Sequence, residues 1–374
     1  MPERATLDAN QWDRISECFE HALELPESER ASFVARVFAD DPMARDEVLA
    51  ILAEHSRGEP LGIESWLVTD TPLPESGLQS GTRIGPYRVG ARIGQGGMGE
   101  VYRGDRDDGT FEQAVAIKVL RAGLASQELV RRFQTERRIL GRLAHPSIVG
   151  IIDGGTTADG RPYLVMPFVD GLPLIAYCEQ QRLSLEDRLR LFERVAAAVQ
   201  YAHVQLVVHR DIKPSNILVS PTGEVHLLDF GIAKMLAAQG DRTDGATSTA
   251  DAEATQSVIR LLTPEHAAPE QVRGESISTA TDVYGLGVLL YELLTGTKPH
   301  RLGDRAMLEL ERDILEREPQ PPSAHASAVP WGRQLRGDLD RIVMKALRKE
   351  PLRRYSSVGQ FADDITRYLK GLPV

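Results

Sequence analysis

His209-Arg210-Asp211-Ile212-Lys213-Pro214-Ser215-Asn216, followed thirteen residues beyond Asn216 by Asp229-Phe230-Gly231, is the stretch on which the reading of this chain turns. The first segment is punctuated by Pro214, and the second closes the mostly apolar run 225–228. Two carboxylates and an amide, delivered from a loop and a strand end, make a set of hard oxygen ligands and a base. That is the kit a magnesium ion and a hydroxyl nucleophile require.

Upstream lies Gly94-Gln95-Gly96-Gly97-Met98-Gly99-Glu100-Val101, a G-x-G-x-x-G-x-V loop. Its glycines let backbone amides approach phosphate oxygens. A dinucleotide-binding fold uses a similar string but opens a helix at once, whereas Glu100-Val101-Tyr102-Arg103 continues as a strand. A phosphate-covering hairpin is the better reading; an ordinary hairpin turn is the bland one. Beyond it, Val115-Ala116-Ile117-Lys118 ends an apolar strand in a lysine. Such a lysine is either a surface edge residue or a cation turned inward, and the inward one needs a carboxylate partner. In the helix that follows, Phe133, Leu140 and Leu143 share a face with Glu136, which either pairs with Lys118 or bridges locally to Arg132.

This ordered set resembles the eukaryotic-type serine/threonine protein kinases, bacterial branch, over about residues 87–369. The resemblance implies an α+β, bilobal protein-kinase fold, with a small β-rich N-lobe over about 86–168 and a larger α-helical C-lobe over about 169–370. It makes Asp211 the catalytic base, Lys118 the phosphate anchor and Glu136 its partner. Asn216 and Asp229 become ligands for Mg²⁺, with Mn²⁺ as a substitute. The ATP site would comprise Gly94, Gln95, Gly96, Gly97, Gly99, Val101, Ala116, Lys118, Met166, Val169 and Leu218. Lys213 and Thr263 mark serine/threonine rather than tyrosine specificity. Arg210, Glu270, Asp282 and Arg354 take structural roles, with Asp282 bracing the catalytic loop and Arg354 pairing with Glu270. The string Asp282-Val283-Tyr284-Gly285-Leu286-Gly287 carries no Trp-Ser pair and so points to bacteria. A pseudokinase scaffold would have lost Lys118, Asp211 or Asp229, and all three are present.

Two departures stand out. Pro167 occupies a hinge position that is usually acidic, and the adenine contacts then fall to the Pro167 carbonyl and the Val169 amide. Between Gly231 and Ala268 lie 36 residues, a long activation segment rich in small polar residues. Thr247, Ser248, Thr249, Thr255 and Ser257 are its candidate phosphorylation sites, and Arg210 is a group that could pair with such a phosphate.

The chain has 374 residues, 42% of them apolar. Residues 1–80 hold 17 Asp/Glu against six Arg and no Lys, a balance of −11, which leaves 38 basic against 37 acidic residues, or +1, for the remainder. Neither part has the basic excess of a nucleic-acid binder. Two distant cysteines, Cys18 and Cys178, suggest neither a disulfide framework nor a zinc site. No signal-peptide core and no apolar run of about 18 residues is seen, so the expectation is a cytoplasmic chain or the cytoplasmic part of a longer membrane protein. Residues 1–55 read as an acidic three-helix region, built on Trp12, Ile15 and Phe19, on Phe33, Val34, Val37 and Phe38, and on Val48, Leu49 and Leu52. Residues 56–85 read as a Pro/Gly/Ser-rich linker. Helices are predicted over 185–205 and 281–295. The expected partners are protein substrates and, through the front region, a second copy or a regulator.

Overall fold

Alternation decides the first layer. In the computed structural model, the run Ala114–Leu120 is a strand whose Val115, Ile117 and Val119 are buried on one side, as period-two patterning dictates. The structure describes residues 27–38, 41, 45, 48, 77–96, 99–109, 111–120, 141, 143–230, 264–300 and 307–374. The chain divides into two units, Met1–Ser76 and Gly77–Val374.

In the first unit, helix α1 (Glu27–Val37) buries Val34, and Phe38 follows it into the interior. Val37 does not join them and is 40% exposed, because it lies one residue off the stripe that Val34 and Phe38 share at helical spacing. Arg45 donates its backbone N–H to the Asp41 carbonyl at 3.1 Å, one helical turn, and Val48 is buried. The expected first helix, around Trp12, lies outside the described residues.

In the second unit, six antiparallel strands form one sheet: β1 (Arg83–Ile84), β2 (Tyr87–Gly96), β3 (Gly99–Arg106), β4 (Ala114–Leu120), β5 (Asp153–Thr156) and β6 (Pro162–Pro167), in the order β1-β2-β3-β4-β6-β5. Ile84, Tyr87, Val89, Tyr102, Tyr163 and Val165 complete its core. Residues 77–85, placed in the linker by their composition, belong to this sheet. Leu78 packs against its core, and Arg83 and Ile84 pair with Arg88 and Tyr87. Pairing satisfies their backbone groups despite the flanking glycines.

The helical part follows: β7 (Leu172–Pro173), α2 (Leu174–Gln180), α3 (Leu185–Val204), the hairpin β8 (Ile217–Val219) and β9 (Val225–Leu227), α4 (Pro269–Val272), α5 (Thr279–Thr295), α6 (Met307–Glu316), α7 (Gly332–Leu335), α8 (Asp338–Ala346) and α9 (Val358–Leu369). Fourteen of the 17 residues of α5 are buried, the signature of a helix apolar all round and therefore central. It starts two residues before the expected Thr281 because Ser278 caps it, accepting the Ala280 N–H. Gly296, at φ +69°, ends it in the left-handed conformation. Against α5 pack α3, α8 and α9, joining Phe192, Leu289, Val343 and Phe361 in one core.

Candidate active site

The β8–β9 hairpin sets the geometry. Ile217 pairs with Leu227, and Leu228 donates its N–H to the Asn216 carbonyl at 2.8 Å, which brings the end of the catalytic loop beside Asp229. Asn216 Nδ2 donates to Asp211 Oδ2 at 3.0 Å and to the Asp211 carbonyl at 2.8 Å. Lys213 Nζ lies 3.1 Å from the same Asp211 oxygen. Two cationic or polar donors on one carboxylate oxygen fix its orientation.

The loop that carries Asp211 is braced from below by α5. Asp282, 1% exposed, accepts the backbone N–H of His209 at 2.7 Å and of Arg210 at 2.8 Å, and contacts His203 Nε2 at 2.7 Å. Arg210 adopts φ +68° and Asp229 φ +45°, left-handed conformations that side chains rarely adopt and that cluster at working sites. Gln271 holds the Arg210 carbonyl at 2.8 Å. His209 is fully buried, and desolvation, outweighing the pull of Asp282 and Asp211, holds its pKa below the ordinary value. The ring is therefore neutral. Its Nε2 lies 2.9 Å from the Leu228 carbonyl and its Nδ1 receives the Asp211 N–H at 3.3 Å, so the proton sits on Nε2. The same ring lies 4.6 Å from that of Phe230. One neutral histidine thus ties the base, the hairpin and Phe230 together.

On the sheet, strand register aligns the nucleotide-side residues: Gly94 opposite Val101, Val101 opposite Lys118, and Lys118 opposite Leu164. Gly99 has φ +153°, and a Cβ there would lie 2.1 Å from the Val119 carbonyl oxygen, so only glycine fits. Lys118 Nζ is 2.7 Å from Asp229 Oδ2, with side chains 18% and 30% exposed. Ala116 pairs with Met166, and β6 ends at Pro167. Phe168 donates its N–H to the Ala114 carbonyl at 3.3 Å, and the Arg103 guanidinium covers its ring at 5.0 Å. Leu218 on β8 and Val169 in the hinge are partly buried. Gly97, Glu136, Gly231, Thr263 and the five candidate phosphorylation sites lie outside the described residues. Below the site, Arg354 Nη1 and Nη2 each donate to a Glu270 oxygen at 2.7 Å, and Thr281 Oγ1 adds a third bond at 2.8 Å.

The sequence reading did not single out His203. Its signal was present: a histidine one residue after Ala202, on the apolar stripe of α3 that also carries Val195 and Val199.

Residues 87–366 match the protein kinase domain. The chain belongs to the protein kinase family. This kinase domain is 36% identical over 293 residues to serine/threonine-protein kinase PknB of Mycobacterium tuberculosis, covering 77% of the chain and 43% of PknB. It is 37% identical over 296 residues to serine/threonine-protein kinase PknA of the same species, covering 78% of the chain and 63% of PknA. The chain therefore spans less than two thirds of these curated relatives. Among solved structures, the PknI kinase domain of M. tuberculosis aligns with a TM-score of 0.58 and 27% identity, over 79% of this chain and all of that one.

Proposed function

We propose that this chain transfers the γ-phosphoryl group of ATP to serine and threonine hydroxyls of proteins. The observation that carries the reading is the held carboxylate of Asp211, oriented by Asn216 and Lys213 on a loop braced by Asp282. In this arrangement Asp211 orients the acceptor hydroxyl and takes its proton, while Lys213 steadies the γ-phosphate. Lys118 anchors the α- and β-phosphates. The amides of the glycine hairpin cover the nucleotide, and Ala116, Met166, Val169 and Leu218 enclose the adenine.

A divalent ion suits the donors present. Asn216 uses its amide nitrogen on Asp211, leaving the amide oxygen as a ligand atom, and Asp229 offers a partly exposed carboxylate. Magnesium commonly takes only one or two protein ligands beside phosphate and water. Bound there, it would neutralise charge on the phosphate oxygens.

Autophosphorylation at one or more of Thr247, Ser248, Thr249, Thr255 and Ser257 is part of the proposal, as is a docking or dimerising role for residues 1–55. No helix among the described residues is long and apolar enough to cross a membrane. The test is radiolabelled-phosphate transfer to generic protein substrates, with Lys118→Met and Asp211→Asn alongside. Label on serine or threonine that falls at least about 100-fold in Asp211→Asn supports the reading, and absence of label in the wild type refutes it. Intact mass after incubation with Mg-ATP should rise in phosphate-sized steps that vanish in Asp211→Asn.

A further inference from the structure

The outer face of the glycine hairpin carries a polar latch that the catalytic motifs do not use. Glu100, the residue after Gly99, stands opposite Gln95 near the tip, and Tyr102, two residues on, stands opposite Arg92. Glu100 and Tyr102 therefore share a face of β3, with Val101 on the other. Arg92 Nη1 donates to Glu100 Oε1 at 2.9 Å, and the Tyr102 hydroxyl donates to Glu100 Oε2 at 2.7 Å. The two arms of the hairpin are thus joined by side chains at the place where the ladder shifts register, between Arg92 and Gly94.

The latch has a third member, from the chain that enters the domain. The Leu78 backbone N–H donates to the Tyr102 hydroxyl at 2.9 Å, across 24 residues of sequence. A Cβ on Gly77 would lie 3.2 Å from that hydroxyl and 3.7 Å from Glu100 Oε1. Beyond this point the strap is pinned to β2, where Gly81 N–H meets the Val89 carbonyl at 2.7 Å and Val89 N–H meets the Thr82 carbonyl at 2.8 Å. Tyr102 is 2% exposed, and burial followed by the bond to Glu100 raises its pKa, so the hydroxyl keeps its proton and donates. Desolvation alone would lift the Glu100 carboxyl, yet the Tyr102 and Arg92 bonds outweigh it and hold the group below the ordinary range, hence anionic.

We infer that Tyr102 and Glu100 are positioning residues for the nucleotide loop, and that the segment entering at Gly77–Leu78 sets ATP affinity through them. A glycine hairpin has little side-chain packing of its own, so its amides are placed for phosphate only as well as its arms are held. The Leu78 N–H completes the coordination of the hydroxyl that locks Glu100 across to Arg92. Displacing residues 77–78 removes that bond and loosens the hairpin. By linkage, nucleotide must in turn tighten the strap.

The inference rests on the proposed ATP-dependent activity, and the test separates the two. Dissociation constants for Mg-ATP are measured on the whole chain for the wild type, Tyr102→Phe, Glu100→Gln and Gly77→Val, with amide exchange at Leu78 followed with and without nucleotide. Tyr102→Phe keeps the ring and removes both bonds; its Kd should rise about five- to tenfold, with kcat at saturating ATP little changed. Glu100→Gln, which still accepts from Tyr102, should lose less. Gly77→Val, which touches no nucleotide, should raise the Kd in the same direction. Nucleotide should slow Leu78 exchange in the wild type and not in Tyr102→Phe. If Tyr102→Phe binds Mg-ATP as tightly as the wild type while its melting temperature falls, the pair is merely structural and the inference is overturned. If the wild type itself fails to bind Mg-ATP, the proposed function falls and takes this inference with it.

Discussion

Replacing Arg354 by methionine tests how the C-terminal part of the domain holds the segment around Glu270. Arg354 donates to both Glu270 oxygens at 2.7 Å and to the carbonyls of Ala280, Arg348 and Lys349 at 2.7–2.9 Å. The two side chains are 0% and 3% exposed. Removing the guanidinium strands a buried carboxylate, a loss of about 3–5 kcal/mol. For a unit of this size each kcal/mol moves the melting temperature by about 2 °C, so Arg354→Met should melt about 6–10 °C lower. Replacing Glu270 by leucine in the same chain removes the stranded charge but not the three carbonyls left without their donor. The double variant should therefore recover part of the loss, about 2 kcal/mol or 4 °C. The pH dependence has a definite sign. Burial would raise the Glu270 carboxyl, but the Arg354 bonds outweigh it and the folded value lies below the ordinary 4.5. The pair's contribution is then complete above pH 4.5 and is lost as pH falls through the folded value. In Arg354→Met burial acts without that opposition and raises the carboxyl, so the gap between wild type and variant, followed by thermal unfolding monitored by circular dichroism, should begin to narrow above pH 4.5 and go on narrowing as pH falls to the wild type's folded value. A shift under 2 °C, or a double variant no better than the sum of the singles, would refute the reasoning.

Asp282→Asn sets an amide donor against backbone donors of the catalytic loop; with two charge-assisted bonds weakened, kcat should fall about 10- to 100-fold while the Mg-ATP dissociation constant stays within about twofold in steady-state and binding assays. Gly99→Ala forces a methyl into the Val119 carbonyl, and Mg-ATP binding by titration should weaken at least about tenfold. Cys178 is buried, and desolvation pushes its thiol up to about 11, so peptide mapping after alkylation at pH 8 should find it unmodified until denaturant is added.

Much of the site was legible because its residues sit close in sequence. Asp211, Lys213 and Asn216 lie within one turn-rich stretch, and a proline-led turn can hardly avoid bringing such neighbours together. The central helix was legible over 281–295 for another reason: its stretch 283–294 is apolar but for Glu292, and such a run is driven to the interior. What escaped was long-range. His203 reaches Asp282 across 79 residues; its place on the apolar stripe of α3 marks it as covered but does not name its partner. Lys118 lies against Asp229, 111 residues away, a contact that helix-face reasoning about Glu136 had no means of seeing. The strap at 77–84 looked like linker because glycine and serine report backbone freedom, whereas here the edge of a sheet supplies the missing order.

The brace beneath the catalytic loop also has a consequence in time. In the chain's own order of synthesis, His209 N–H finds its acceptor 73 residues after itself and Glu270 finds its guanidinium 84 residues after itself. At about 5–20 residues per second, a growing polypeptide spends several seconds with its base in place and no Asp282 beneath it, and several more before Arg354 emerges. Fragments that end between Asp229 and Asp282 carry Lys118, Asp211, Asn216 and Asp229 without the carboxylate that braces the loop, and those that end between Asp282 and Arg354 have that brace but lack the guanidinium on Glu270. The full set of ties beneath the loop is therefore in place only once the polypeptide has been made through Arg354, close to the end of the matched kinase domain.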